Sequence, residues 1–166
     1  MEILPVVNKK DELVDESPRE ICHAKGLRHR AVHIFIFNKK GEILLQKRSA
    51  DKDEYPSYYE ASVSGHVLKN ETYEEAAIRE LEEETGLIFE PEKLDKKNKF
   101  EIKFGNEHHF VQLFVLFTSK KPELHDGEVE KFEWIQTKEL VKQIKANKKK
   151  FTPEFLAAME NFILKK

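Results

Sequence analysis

The stretch from Gly65 to Leu87 reads GHVLKNETYEEAAIRELEEETGL, the pattern of a loop, a helix and a stop. Thr72 stands where a helix N-cap would. Glu75, three residues on, completes a capping box in which each side chain accepts from the other residue's backbone N–H. Ala76, Ala77, Ile78 and Leu81 supply helix formers and an apolar stripe. Gly86 can take the left-handed conformation that ends a helix, which gives a predicted helix of about three turns. Its charge is distributed unevenly. Glu80, Glu83 and Glu84 are spaced i, i+3, i+4 and share one face, whereas Glu82 points away into solvent. Three carboxylates on one face repel one another and raise one another's pKa, which costs stability unless a cation neutralises them. Oxygen donors without Cys or clustered His suit Mg²⁺ or Mn²⁺, and Mg²⁺ held by a few carboxylates keeps positions for water and phosphate. The plainer reading of a Glu-rich run, a solvated helix face, fits Glu74, Glu75 and Glu82.

The rest of the chain sets bounds. At 166 residues, with 39% hydrophobic and 36% charged, the sequence reads as one globular domain over 1–166 with a real core. A formal net charge of −2 gives no general pull toward nucleic acid or an anionic membrane. Cys22 is the single cysteine, so no intrachain disulfide forms and a reducing cytoplasm is the expected compartment. The opening MEILPVVNKKDE has no long apolar run, so neither a signal peptide nor a membrane span is expected. A homodimer is an open expectation, since dimers are common.

Taken in order, residues 1–28 read as a hairpin and short helix: a strand over Ile3 to Val7, a polar turn, a returning strand over Glu12 to Asp15, then Ser17 as N-cap with Pro18 at the first helical position. Arg30 to Asn38 and Glu42 to Arg48 read as strands joined by Asn38-Lys39-Lys40-Gly41, hence a second hairpin. A polar, aromatic loop, Ser49 to Tyr59, leads into Gly65. Beyond the motif, Phe89 to Asn98 reads as a loop. Phe100 to Phe104 and Phe110 to Phe117 read as paired strands, and Val129 to Ile135 as a further strand with Trp134 in the core. Thr137 and Thr152 read as caps of two last helices. The five lysines between Lys142 and Lys150 are read as a solvated helix end rather than a nucleic-acid patch. Strands mixed with helices predict an α/β or α+β domain.

Gly65, Glu71, Arg79, Glu80, Leu81, Glu83, Glu84, Gly86 and Leu87 resemble the Nudix box (65–87) at every specified position: a glycine, five residues, Glu, seven residues, then Arg-Glu-aliphatic-x-Glu-Glu-x-Gly-aliphatic. The resemblance implies an α+β fold, an α/β/α sandwich with a mixed sheet between helices and a catalytic loop–helix–loop. It implies Mg²⁺- or Mn²⁺-dependent hydrolysis of a diphosphate linkage in a small molecule such as a nucleoside diphosphate derivative. On that basis Glu80, Glu83, Glu84 and the Ser64 carbonyl are the metal ligands, and Glu83 and Glu80 the catalytic residues, with the base left open between them. Gly65, Glu71, Arg79 and Gly86 are structural, Gly65 permitting close approach at the Ser64 carbonyl. Arg48, Tyr58 and His66 are substrate-side candidates, with Tyr55 and Tyr59 beside them. Glu128 is a candidate outside the motif whose preferred reading is an exposed loop acid. Asn70 departs from the glycine common before the Glu71 position, which implies a different loop shape.

Two longer stretches, RHRAVHIFIFNKKGEILLQKRSADKDEYPSYYEASVSGH and EVEKFEWIQTKEL…KFTPEFLAAMENF, resemble the isopentenyl diphosphate isomerase-like branch and its YfcD-type group. The isomerase needs a cysteine where Ser64 stands and a His/Glu metal site. His29 and His66 match two of its histidines, and His23 lies one residue from a third. The preferred reading is hydrolase. An isomerase-like enzyme and a noncatalytic ligand sensor are the alternatives. A second metal site at His23, His29 and His66 is weighed below structural or substrate-contacting histidines.

Overall fold

The computed structural model describes residues 1–124, 127–146 and 150–163. Ile3–Val7 (β1) and Leu13–Pro18 (β2) form an antiparallel hairpin. Asn8 builds its turn, its Oδ1 accepting from the N–H groups of Lys10 and Glu12 at 2.8 and 3.1 Å. A helix follows, Arg19–Lys25 (α1), closed by Gly26 in the left-handed conformation. Ser17 is not its cap. It remains in β2, paired with Leu4, and Pro18 precedes the helix without a side-chain cap.

The central strand is His29–Phe37 (β3), and Glu42–Arg48 (β4) follows it. The expected hairpin holds only at its base, where Phe37 pairs with Ile43. Beyond that the two strands part. Tyr59–Glu60 (β5) pairs with β4, and Val63–His66 (β6) pairs antiparallel with β3. Between them Ser62 bridges the gap: its hydroxyl accepts from Ile36 N–H at 2.9 Å and donates to the Leu44 carbonyl at 2.6 Å.

The motif helix is Tyr73–Thr85 (α2), with the capping box of Thr72 and Glu75 formed and Gly86 left-handed at its end. After a 3₁₀ turn at Pro91–Lys93, Asp95–Phe104 (β7) pairs antiparallel with Glu107–Phe117 (β8). The strand thus begins inside the stretch expected to be a loop, with a register shift between Lys96 and Lys99. β8 runs parallel to β3 along its whole length. Val129–Gln136 (β9) pairs with β4. Thr137–Ala146 (α3) and Pro153–Phe162 (α4) complete the described chain. Thr152 caps α4, accepting from Phe155 N–H, while the Thr137 hydroxyl donates to the Gly41 carbonyl instead. Part of the lysine run, residues 147–149, lies outside the described residues.

The mixed sheet lies between helices, as an α/β/α sandwich requires. β3 is apolar almost throughout because both of its faces are covered. Val32, Ile34 and Ile36 pack with Ala76, Ala77 and Leu81 of α2, with Trp134 half-buried at the edge of that cluster. Ala31 and Phe35 pack on the other face with Leu140 of α3 and Phe155, Ala158 and Met159 of α4. No helix among the described residues is long and apolar enough to cross a membrane.

Asp11 ties the N-terminal hairpin to this sandwich. Its side chain receives Arg30 Nε, Lys99 Nζ and the Tyr73 hydroxyl, each at 2.7 Å. Burial pushes its pKa up, but the hydrogen bonds from Arg30, Lys99 and Tyr73 outweigh that and hold it below the ordinary value. Asp11→Asn is expected to cost about 2–3 kcal/mol at pH 7. A depressed carboxylate pKa contributes stability above the unfolded value and loses it as pH falls through the folded one. Denaturant melts should therefore show the gap between wild type and variant closing below about pH 4.

Candidate active site

The motif loop and α2 place their carboxylates by two different devices. Arg79 clamps the loop: its Nε and Nη2 donate to Glu71 at 2.6 and 3.0 Å, and Nη2 also reaches the His66 carbonyl at 2.9 Å. Its Nη1 spans Glu80 at 2.8 Å and Glu83 at 3.2 Å. Glu71 in turn accepts from Leu68 N–H at 2.8 Å. Asn70 has φ 69°, so the loop keeps a left-handed turn despite lacking glycine. At Gly65 a Cβ would overlap the Glu80 carboxyl group, so any side chain there displaces that group.

Glu84 is held from the sheet. Its Oε1 accepts from Gln46 Nε2 at 2.8 Å and from Ser64 N–H at 3.1 Å. Burial raises its pKa well above the ordinary value, with Glu80 and Glu60 adding to the shift, while Gln46 and the Ser64 N–H oppose it. Glu80 is pushed up to about 7 by burial and by Glu83, against the pull of Arg79. Glu83 is the exposed member, with 56% of its side chain accessible.

These groups line one cleft of about 440 Å³, a normal size for a small-molecule site. Ser64, Gly65, His66, Glu80, Glu83 and Glu84 lie along it with Arg48 and Glu128. Arg48 is engaged by the Glu54 carbonyl at 2.9 Å and the Glu60 carboxylate at 3.1 Å. Tyr55, rather than Tyr58, lines the cleft; Tyr58 packs against it at 5.2 Å between rings, and Tyr59 is buried in the core. Glu128 pairs with Lys52 at 3.6 Å. Gln46, Glu60, Glu107 and Glu154 also line it. Of these, only Gln46 carried a local signal, as a polar residue inside the apolar run EILLQKR.

Gln46→Leu removes a donor to Glu84 without touching the cleft's charges. It is expected to weaken divalent-cation affinity about 10–100-fold, measurable by calorimetric titration.

Histidines form a second focus. His23, His29 and His66 bring ring nitrogens within 4.8 Å of one another, as do His29, His109 and the Glu107 carboxylate. The parallel register that sets His29 opposite His109 assembles this group. The His29 Nδ1–H donates to the Leu27 carbonyl at 2.8 Å, which fixes the tautomer and leaves the buried Nε2 without a partner. Burial holds His29 down to about 4, and His66 and His109 well below the ordinary value, so these rings are neutral near pH 7. Neutral imidazoles with one nitrogen anchored to a carbonyl are the usual ligands of Zn²⁺ and similar ions. His29 therefore carries one nitrogen that no hydrogen bond among the described residues satisfies.

The NUDIX domain family matches residues 27–155. The chain belongs to the Nudix family. Within it, an uncharacterised Nudix hydrolase, YfcD of Escherichia coli K12, is 33% identical over 95% of this chain and 84% of its own length. An isopentenyl-diphosphate Delta-isomerase of Serratia proteamaculans is 30% identical over 96% and 90%. The crystal structure of DR0079 from Deinococcus radiodurans superposes with a TM-score of 0.78 at 25% identity, covering 97% of this chain and 99% of that one. The Nudix fold and the isomerase-like, YfcD-type branch are thereby shown for this chain.

Proposed function

We propose that this Nudix protein is a divalent-metal-dependent pyrophosphohydrolase that cleaves a diphosphate linkage in a small cytoplasmic molecule such as a nucleoside diphosphate derivative. The observation that carries the reading is the disposition of Glu80, Glu83 and Glu84 along one cleft beside Ser64 and Gly65. The half-buried pair Glu80 and Glu84 shift upward in pKa, as carboxylates short of a cation do. The donor set is oxygen-rich and fits Mg²⁺ or Mn²⁺. Bound there, such an ion supplies charge neutralisation at the phosphate and a water of lowered pKa. Glu80 and Glu84 would hold it together with the Ser64 carbonyl. Glu83, exposed and bonded by Arg79 at 3.2 Å, would take a proton from water at the cleft. Arg79 keeps the loop in register with the helix.

The His23, His29, His66, His109 and Glu107 group favours one second reading, an isomerase-like enzyme using a nitrogen-rich metal centre. Ser64 in place of the cysteine, and a cleft lined mostly by charged side chains, favour the hydrolase. Wild type and Glu83→Gln incubated with Mg²⁺ and a panel of nucleoside diphosphate derivatives, dinucleotides and isopentenyl diphosphate, with products read by mass, separate the two. Hydrolysis lost in the variant supports the proposal. Rearrangement of isopentenyl diphosphate without hydrolysis overturns it. Binding without turnover leaves a ligand sensor.

A further inference from the structure

The cleft has a second wall that the metal-binding reading does not use. It is the first turn of α4. Thr152 caps this helix, and Phe155, Ala158 and Met159 are fully buried in the core, so Glu154 between cap and anchor is rigidly placed. Glu154 lines the cleft. The charged side chains that act on it are Glu107, Glu60, Arg48 and Glu54, none of them from the motif. Arg48, the one cation among them, is already committed to Glu60 and the Glu54 carbonyl. No hydrogen bond or ion pair among the described residues reaches the Glu154 carboxylate.

Two further groups along the same cleft are also short of partners. His33 and His109 are 4% and 3% exposed, and each leaves Nδ1 without a hydrogen bond. The aliphatic residues lining the cleft are Ala31 and Val129 alone. A hydrocarbon chain placed here would strip water from carboxylates and imidazoles and give nothing back. A group carrying hydroxyls would donate to them, and two oxygens of one carboxylate match two neighbouring hydroxyls.

We propose that Glu154 is a specificity-determining residue whose carboxylate accepts hydrogen bonds from the hydroxyl groups of a sugar-like moiety carried by the diphosphate. This rests on the hydrolase reading of the cleft. Burial and the acids Glu107 and Glu60 push Glu154 up to about 7, against Arg48. Tyr55 lines the same cleft, and its hydroxyl is pushed up by burial and by the Glu154, Glu54 and Glu107 charges.

The test is a calorimetric titration, with Mg²⁺ present, of α,β-methylene analogues of the common ribonucleoside diphosphates and of their 2′,3′-dideoxy counterparts. Wild type is expected to bind at least one ribose ligand about tenfold or more tighter than its dideoxy form. Glu154→Ala should reduce that ratio to within about twofold by weakening the ribose ligand alone, and Glu154→Asp should retain most of it. Equal affinities in wild type, no binding of either ligand, or a ratio unchanged in Glu154→Ala would each overturn the proposal. The analogues are not cleaved, so the outcome is separate from catalysis. Discrimination without turnover of the cleavable diphosphates would leave the subsite and remove the hydrolase. Turnover lost in Glu83→Gln without discrimination would do the reverse.

Discussion

Replacing Glu84 with glutamine is expected to lower kcat for Mg²⁺-dependent hydrolysis about 10³-fold, with the fold intact. Glutamine matches the shape of Glu84 and can still accept from Gln46 and the Ser64 N–H, so the local packing survives. What is lost is a charge that a cation at this face needs. Charge stabilisation of a phosphoryl group by a bound ion contributes several kcal/mol, and about 4 kcal/mol corresponds to that loss of rate. Steady-state rates across a Mg²⁺ series check it. A variant that reaches wild-type kcat at high Mg²⁺ would show that Glu84 only tunes affinity.

The second large effect is on stability. Glu80 titrates at about 7 in the fold against 4.5 ordinarily. A carboxyl group whose folded pKa is raised contributes stability that is present below the unfolded value and is lost as pH rises through the folded one. Without divalent ions the protein should therefore lose stability between about pH 4.5 and pH 7, by about 3 kcal/mol from Glu80 alone. Glu84 and Glu154 shift in the same direction and add to it. On the proposed reading Mg²⁺ would bind the ionised face, so it should raise Tm by about 6–10 °C at pH 8 and far less at pH 5. Thermal melts with and without chelator across this range decide the matter. A chelated protein that grows more stable from pH 4.5 to 7, or a Mg²⁺ effect independent of pH, contradicts the electrostatics assigned to the site.

What the sequence revealed, it revealed where the determinants are local. Thr72, Glu75 and Gly86 specify the ends of α2 within one turn of themselves, and helical spacing alone puts Glu80, Glu83 and Glu84 together. The long apolar run of β3 likewise announces a strand covered on both faces. The parting of β3 from β4 was not legible, because it depends on Ser62, distant in sequence, bonding to both strands. Ser17-Pro18 imitated a helix start, but pairing with β1 kept Ser17 extended. The cleft was legible on its motif side and, beyond the motif, at Arg48, Tyr55, Glu128 and His23. Gln46, Glu60, Glu107 and Glu154 come from four separate elements, and no spacing rule connects them. The histidine group depends on the parallel register of β3 and β8, a pairing between residues far apart in the chain.

The most direct measurement is a calorimetric titration of Mg²⁺ into wild type and Glu84→Gln near pH 6.5, in buffers of different ionisation enthalpy. Glu80, near its midpoint there, must give up its proton to become a ligand. The account predicts Mg²⁺ binding to wild type coupled to proton release, with both lost or greatly weakened in the variant. Equal binding by the two proteins, or binding without proton release, would show that the ion sits away from the carboxylate face of α2.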